Sequence, residues 1–220
     1  MNCIQSFVIA VAFAVNSLSA FSQDKAAGQI NYEVTYNVHA SLKPDQLQYK
    51  DLIPETTTEN AVLLYKGQRV RTYFNDLIKK EEDGVNASIK IATDNGRDKY
   101  MDVEQNKLWW VDESKEPAVL VEKLLKEEGD EDEEDKSETK KILDYTCKKI
   151  VSVSKAGGKQ VTWYTTELPL KSGGPLGVYT DKGVVLGFES KVMSFTATGI
   201  EFKAIDEKEV TPPVTMKVVK

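Results

Sequence analysis

A mainly β chain with a few short helices is the fold class that this sequence predicts, and three observations predict it. Ile30, Tyr32, Val34, Tyr36 and Val38 alternate with Asn31, Glu33, Thr35 and Asn37, the period-2 signature of a sheet with one buried face. Runs rich in β-branched and aromatic residues then recur, separated by Gly, Asn and Asp turn chemistry. Trp109 and Trp110 are adjacent, so in a strand their rings must leave opposite faces. Leu63 with Leu64 and Val184 with Val185 repeat that two-sided pattern. It is expected where one sheet face packs on a second layer and the other lines a cavity, or where a curved sheet simply packs its own core.

The apolar run Phe7–Val15 (FVIAVAFAV) is followed by small and polar residues from Asn16 to Ser22, with Ala20 and Ser22 at the two small-residue positions of a cleavage site. This predicts a signal peptide over residues 1–22, removed on export, and a single β-rich domain over 23–220. The run is too short to span a bilayer, and no second candidate span follows, so no transmembrane segment is expected in the mature chain. Cys3 would leave with the leader, and Cys147 would remain without a disulfide partner in the chain.

After the first strand, Pro44–Ile53 (PDQLQYKDLI) predicts a short helix that starts at a proline and stops before Pro54. NAVLLYKG and QRVRTYF, then SIKIAT and KYMDVEQNKLWWVD, predict successive antiparallel hairpins. Pro117–Lys126 (PAVLVEKLLK) predicts an amphipathic helix, because Leu120 pairs with Leu124 and Val121 with Leu125 at i,i+4. An acidic stretch follows over 127–138, and its like charges predict a solvated loop. Its eight carboxylates from Glu127 to Asp135 outweigh the formal net charge of −6, so the acidity is local and no basic footprint for nucleic acid remains. Strands are expected again at Leu143–Val153, from Val161, at Val184–Phe188 and within Lys191–Ala204, and Pro212–Pro213 allows only an edge segment after it.

The inventory for catalysis is thin. His39 is the only histidine, placed at the end of the first strand, which leaves metal sites and Ser-His or Cys-His chemistry without partners. Ser152 and Lys155 fit S-x-x-K, and Lys171–Gly173 resembles the following K-T-G element of penicillin-recognising enzymes, but the two stand too close to flank a helical domain. Cys147, on an apolar strand face, is expected to be an inert buried thiol. The stretch GGPLG (Gly173–Gly177) matches neither glycine-rich phosphate pattern, and Pro175 removes a backbone donor; it is expected to bend the chain across a sheet edge or barrel mouth. No catalytic residue, metal ligand or cofactor is assigned.

Four segments carry a family resemblance: LLYKGQRVRTYF (Leu63–Phe74), KYMDVEQNKLWWVD (Lys99–Asp112), ILDYTCKKIV (Ile142–Val151) and VTWYTTELPL (Val161–Leu170), with GGPLGVYTDKGVVLGFE after them. The chain resembles the GLPGLI family of secreted proteins of Gram-negative bacteria and related domains with the fold of the outer-membrane lipoprotein carrier LolA. The resemblance implies a strongly curved, incompletely closed antiparallel β-barrel with a helical plug or lid, and it brings no catalytic residues. The expected function is a periplasmic, non-enzymatic protein that binds a hydrophobic ligand such as an acyl chain. Candidate lining residues are Tyr32, Tyr36, Trp109 or Trp110, and Trp163, with Leu120 and Leu124 on the lid helix. The competing expectation is an envelope interaction module whose core is filled by its own side chains and whose partner is another envelope protein.

Overall fold

The computed structural model describes residues 25–75, 98–126, 134–154 and 157–220. The signal-peptide expectation, the SIKIAT strand and acidic residues 127–133 lie outside the described residues.

The chain is mainly β, and among the described residues twelve strands form one open sheet of order β12-β6-β5-β4-β3-β2-β1-β11-β10-β9-β8-β7. Strands β1 (Ala27–Asn37), β2 (Thr56–Lys66), β3 (Arg69–Phe74), β4 (Lys99–Asp102), β5 (Lys107–Asp112) and β6 (Val119–Leu124) form one antiparallel meander. Strands β7 (Glu134–Ile142), β8 (Tyr145–Val153), β9 (Lys159–Thr165), β10 (Val184–Glu189) and β11 (Met193–Phe202) form a second. The two join where β1 pairs with β11, and the short β12 (Val218–Val219) lies parallel on β6. The alternation expected from Ile30 to Val38 is realised through Tyr36: Ile30, Tyr32, Val34 and Tyr36 are buried and the residues between them are half-buried or exposed, whereas Val38 leaves the strand and begins a helical turn.

Two consecutive apolar residues in β2 show why both sheet faces are apolar. Leu63 belongs to the main core with Ile30, Val70 and Met101, whereas Leu64 and Val62 pack outward against Ile205 and Val210. The chain after β11 therefore lies on the outer face of β2 and ends at the edge beyond β6, where Leu120 N–H donates to the Lys217 carbonyl at 2.9 Å. Ion pairs from Arg69 and Lys66 to Glu207 fasten this C-terminal segment to β2 and β3. Residues after Pro213 do supply only an edge strand, as expected.

Three expectations need correction. The amphipathic helix at Pro117–Lys126 is strand β6, with Trp110 opposite Val121 and Val111 opposite Leu120. Four residues are close to one helical turn but also two full strand periods, so the i,i+4 pairing of leucines suited either element, and cross-strand hydrogen bonding to β5 decided it. The helical lid expected there is consequently absent. In the acidic stretch, Glu134–Glu138 belong to β7, an edge strand rather than a loop. The run's own Lys136 pairs with Glu134, and lysines from β8 and from the β9–β10 connection supply further counter-charge: Lys149 Nζ reaches Glu138 at 2.6 Å and Lys182 reaches Asp135 at 3.0 Å. A charged edge also discourages pairing with another sheet. The predicted helix at Pro44–Ile53 forms only as a 3-10 segment over Pro44–Leu52, preceded by a single α-helical turn, α1 (Val38–Ser41).

Candidate functional site

The glycine-rich stretch between β9 and β10 crosses the inner face of the sheet. Leu168 and Leu170 anchor its start in the core, and Gln68, in the β2–β3 turn, grips it twice: its Nε2 donates to the Pro169 carbonyl at 3.1 Å and its Oε1 accepts from Lys171 N–H at 2.9 Å. Ser172 donates to the Thr180 carbonyl at 2.7 Å and closes the stretch on itself. Gly174 is required by close approach, since a Cβ there would lie 2.5 Å from the Val178 carbonyl oxygen. The turn at Pro175–Gly177 runs through left-handed backbone at Leu176 (φ 62°) and Gly177 (φ 77°). Glycine accepts this conformation without the steric penalty of a side chain. The expected bend is thus a strap across a sheet face.

Beneath the strap lies a residue that sequence reasoning passed over. Lys99 of β4 is only 5 % exposed, and its ammonium donates to the Leu176 carbonyl at 2.9 Å. A Cβ on Gly177 would sit 3.2 Å from that nitrogen. In the cross-strand row Lys99 stands between Thr72 and Trp110, and Trp110 stands opposite Val121. Burial holds the Lys99 amine down at about 8. The available signal was parity: Lys99 and Met101 share a face in a four-residue strand whose members are all buried.

The sequence-predicted residues separate into three groups. Tyr32, Tyr36 and Trp163 are in the main apolar cluster. Tyr32 turns its ring edge-on to Phe195 and donates its hydroxyl to the Val185 carbonyl at 2.9 Å, and Phe195 in turn stacks on Phe188. Trp163 donates Nε1 to Glu189 at 3.2 Å beneath the Lys140 ammonium, 4.2 Å above its ring. Trp110, 7 % exposed, is on the strap side with Leu108, Val121 and Lys99.

Trp109 leaves the opposite face, where its Nε1 donates to Glu122 at 2.9 Å and Lys107 covers the ring. Leu120 and Leu124 share this outer face of β6 with Glu122, so neither approaches the strap; Leu120 is buried there and Leu124 is exposed. On the same face Arg71 forms a two-pronged bond to Asp98 at 2.8 and 2.6 Å between the rings of Tyr73 and Tyr100. That cluster braces β3 to β4.

The remaining reactive types are quiet. Burial pushes the Cys147 thiol up to about 11, which keeps it protonated near neutral pH. His39 lies on α1 rather than on the strand and donates Nε2–H to the Ile53 carbonyl at 2.8 Å. Among the described residues, no group of three or more His, Cys, Asp or Glu side chains is placed to hold a metal, and no helix is long and apolar enough to cross a membrane.

No protein-family model matches the chain, and no curated protein does. Among solved structures, it is similar to PNGF-II in two crystal forms. In the C2 form the TM-score is 0.60 at 17 % identity over 88 % of this chain and 31 % of that one. In the P21 form the TM-score is 0.56 at 19 % identity over 88 % and 32 %. The chain therefore spans about a third of the PNGF-II chains that it matches, and identity this low shows the fold alone. A weaker similarity, with a TM-score of 0.42 at 10 % identity over 90 % of this chain and 91 % of that one, is to an uncharacterized conserved protein from Thermus thermophilus.

Proposed function

We propose that the chain is an exported, non-catalytic binding protein that holds an aliphatic ligand on the inner face of β4–β6, beside the glycine-rich strap. One observation carries the reading: Leu108, Trp110 and Val121 form an apolar strip on neighbouring strands, and Leu108 and Val121 remain only partly covered. An aliphatic chain lying along the strip would gain roughly 25 cal/mol for each Å² of apolar surface removed from water. In this reading the sheet is a half-barrel of the LolA-like kind, and the strap takes the place that the resemblance gives to a helix. Periplasmic residence rests on the signal-peptide reading of residues 1–22, and recovery of envelope protein with that segment intact would remove it.

A neutral fluorescent probe such as N-phenyl-1-naphthylamine tests the site. The mature protein is expected to bind it saturably and to release it to dodecanol. Trp110→Ala is expected to lower its affinity by about tenfold, as truncation of a central aromatic anchor does, whereas Trp109→Ala on the opposite face leaves it unchanged. Equal effects of the two substitutions would refute placement of the ligand on the strap side.

A second reading is favoured by the β1 side of the interior, where Tyr32 is fully enclosed by Phe195 and its bond to Val185. There the core is filled by the chain itself, as in an interaction module for another envelope protein. Native mass spectrometry of protein taken from its own envelope separates the two: a copurified lipid supports the first, and a copurified protein with no lipid supports the second.

A further inference from the structure

We infer that Lys99 receives the carboxylate head of an aliphatic acid whose tail lies over Trp110 and Val121, an inference that rests on the apolar-ligand reading and names the class of ligand. An ammonium carries three N–H donors, and among the described residues the acceptor it meets is the Leu176 carbonyl, which takes one of them and leaves the charge uncompensated. Its cross-strand neighbours Thr72 and Trp110 are uncharged, and so are Leu176 and Gly177 of the strap above it. Lys123 is the charged residue that β6 places on this face, opposite Leu108, and it is exposed; Lys126 beyond β6 is engaged by Asp181 of the strap at 2.7 Å. Both are cations, so neither supplies a counter-charge; of the carboxylates, Asp181 is taken by Lys126, and Asp112, which strand parity puts on this face two residues beyond Trp110, accepts from Ser114 N–H at 3.0 Å and Ser114 Oγ at 2.5 Å.

A buried ion without a partner is costly, and an anion that enters beside it recovers much of that cost through charge-assisted hydrogen bonds. The apolar strip begins at the next residue of the same cross-strand row, so a head on Lys99 and a tail on Trp110 and Val121 belong to one amphiphile. A carboxylate suits the place because it accepts two of the free donors while the Leu176 carbonyl keeps the third.

Titration calorimetry with dodecanoate, dodecanol and acetate tests this on the mature protein. Dodecanoate is expected to bind more tightly than dodecanol, and acetate only weakly. Lys99→Met is expected to weaken dodecanoate by about tenfold more than it weakens dodecanol, the size of one charge-assisted bond. The parent protein gives a readout that needs no variant. Raising the pH from about 7 to about 10 neutralises the amine, so dodecanoate affinity should fall while dodecanol affinity stays level. If both amphiphiles bind equally, with no pH dependence and no selective effect of Lys99→Met, the head-group assignment is overturned and the apolar-ligand reading stands. If neither binds, the apolar-ligand reading fails and takes the assignment with it. Acetate binding that is as tight as dodecanoate binding and is lost in Lys99→Met would overturn the pairing of head and tail.

Discussion

Leu120→Asp is expected to lower folding stability by about 3–5 kcal/mol, whereas Leu124→Asp is expected to change it by less than about 0.5 kcal/mol. Both leucines lie on the outer face of β6, but Leu120 is 3 % exposed beside the paired β12 and Leu124 is 57 % exposed at the strand end. A carboxylate at 120 would be buried without a cation prepared for it, and at 124 it would meet water. Urea unfolding followed by far-UV circular dichroism measures both. Comparable losses in the two variants would contradict the strand and revive an amphipathic helix whose leucines share one buried face.

Lys99→Met is expected to stabilise the ligand-free protein at neutral pH by about 2 kcal/mol. Burial lowers the Lys99 amine from the ordinary 10.5 to about 8, a difference equivalent to about 3 kcal/mol, of which the lost bond to Leu176 returns about 1. The sign follows from proton counting. Between about pH 8 and 10.5 the unfolded chain holds a proton on this amine that the folded chain has released, so stability rises with pH across that window. Below it both states are protonated, and the penalty is present in full. Burial also raises the hydroxyls of Tyr32, Tyr100 and Tyr145 and the thiol of Cys147, which stay protonated in the folded state; the tyrosines oppose the rise only above about pH 10, where unfolded tyrosine ionises, but the thiol, raised to about 11, opposes it from about pH 9 and offsets part of it. Thermal or urea midpoints from pH 7 to 10 should therefore climb in the parent, whereas in Lys99→Met they stay level to about pH 8.5 and then fall as the unfolded Cys147 thiol ionises. A parent profile that tracks that of Lys99→Met would mean that the amine is solvated and the strap does not cover it.

The legible parts of this molecule were those whose pattern repeats within a few residues. The alternation of β1 named its own buried face, because the strand period is two whatever the rest of the chain does. Trp109 and Trp110 were bound to part company for the same reason, and they do. Hairpins at Gly67–Gln68 and around Asn106 followed from turn chemistry. The candidate site was less legible. Trp110 was recognised as one of a pair, Tyr32 and Trp163 proved to be packed core, and Lys99 went unnoticed because a lysine in a strand ordinarily reaches water.

By itself, then, the sequence determined a β-rich chain, the faces of its alternating strands, a bend at the glycines and a composition with a single histidine, all of which depend on local stereochemistry or on composition. Tertiary structure alone decided that Val119–Leu124 is a strand, since the spacing of its leucines satisfies both periods and the hydrogen bonds offered by β5 select one. It decided that Glu134–Glu138 joins the sheet, because beyond the run's own Lys136 the neutralising lysines come from β8 and from the strap. It also decided that the Gly173–Gly177 strap lies over Lys99. That burial arises from a segment 77 residues away along the chain, and no local period carries information over such a separation.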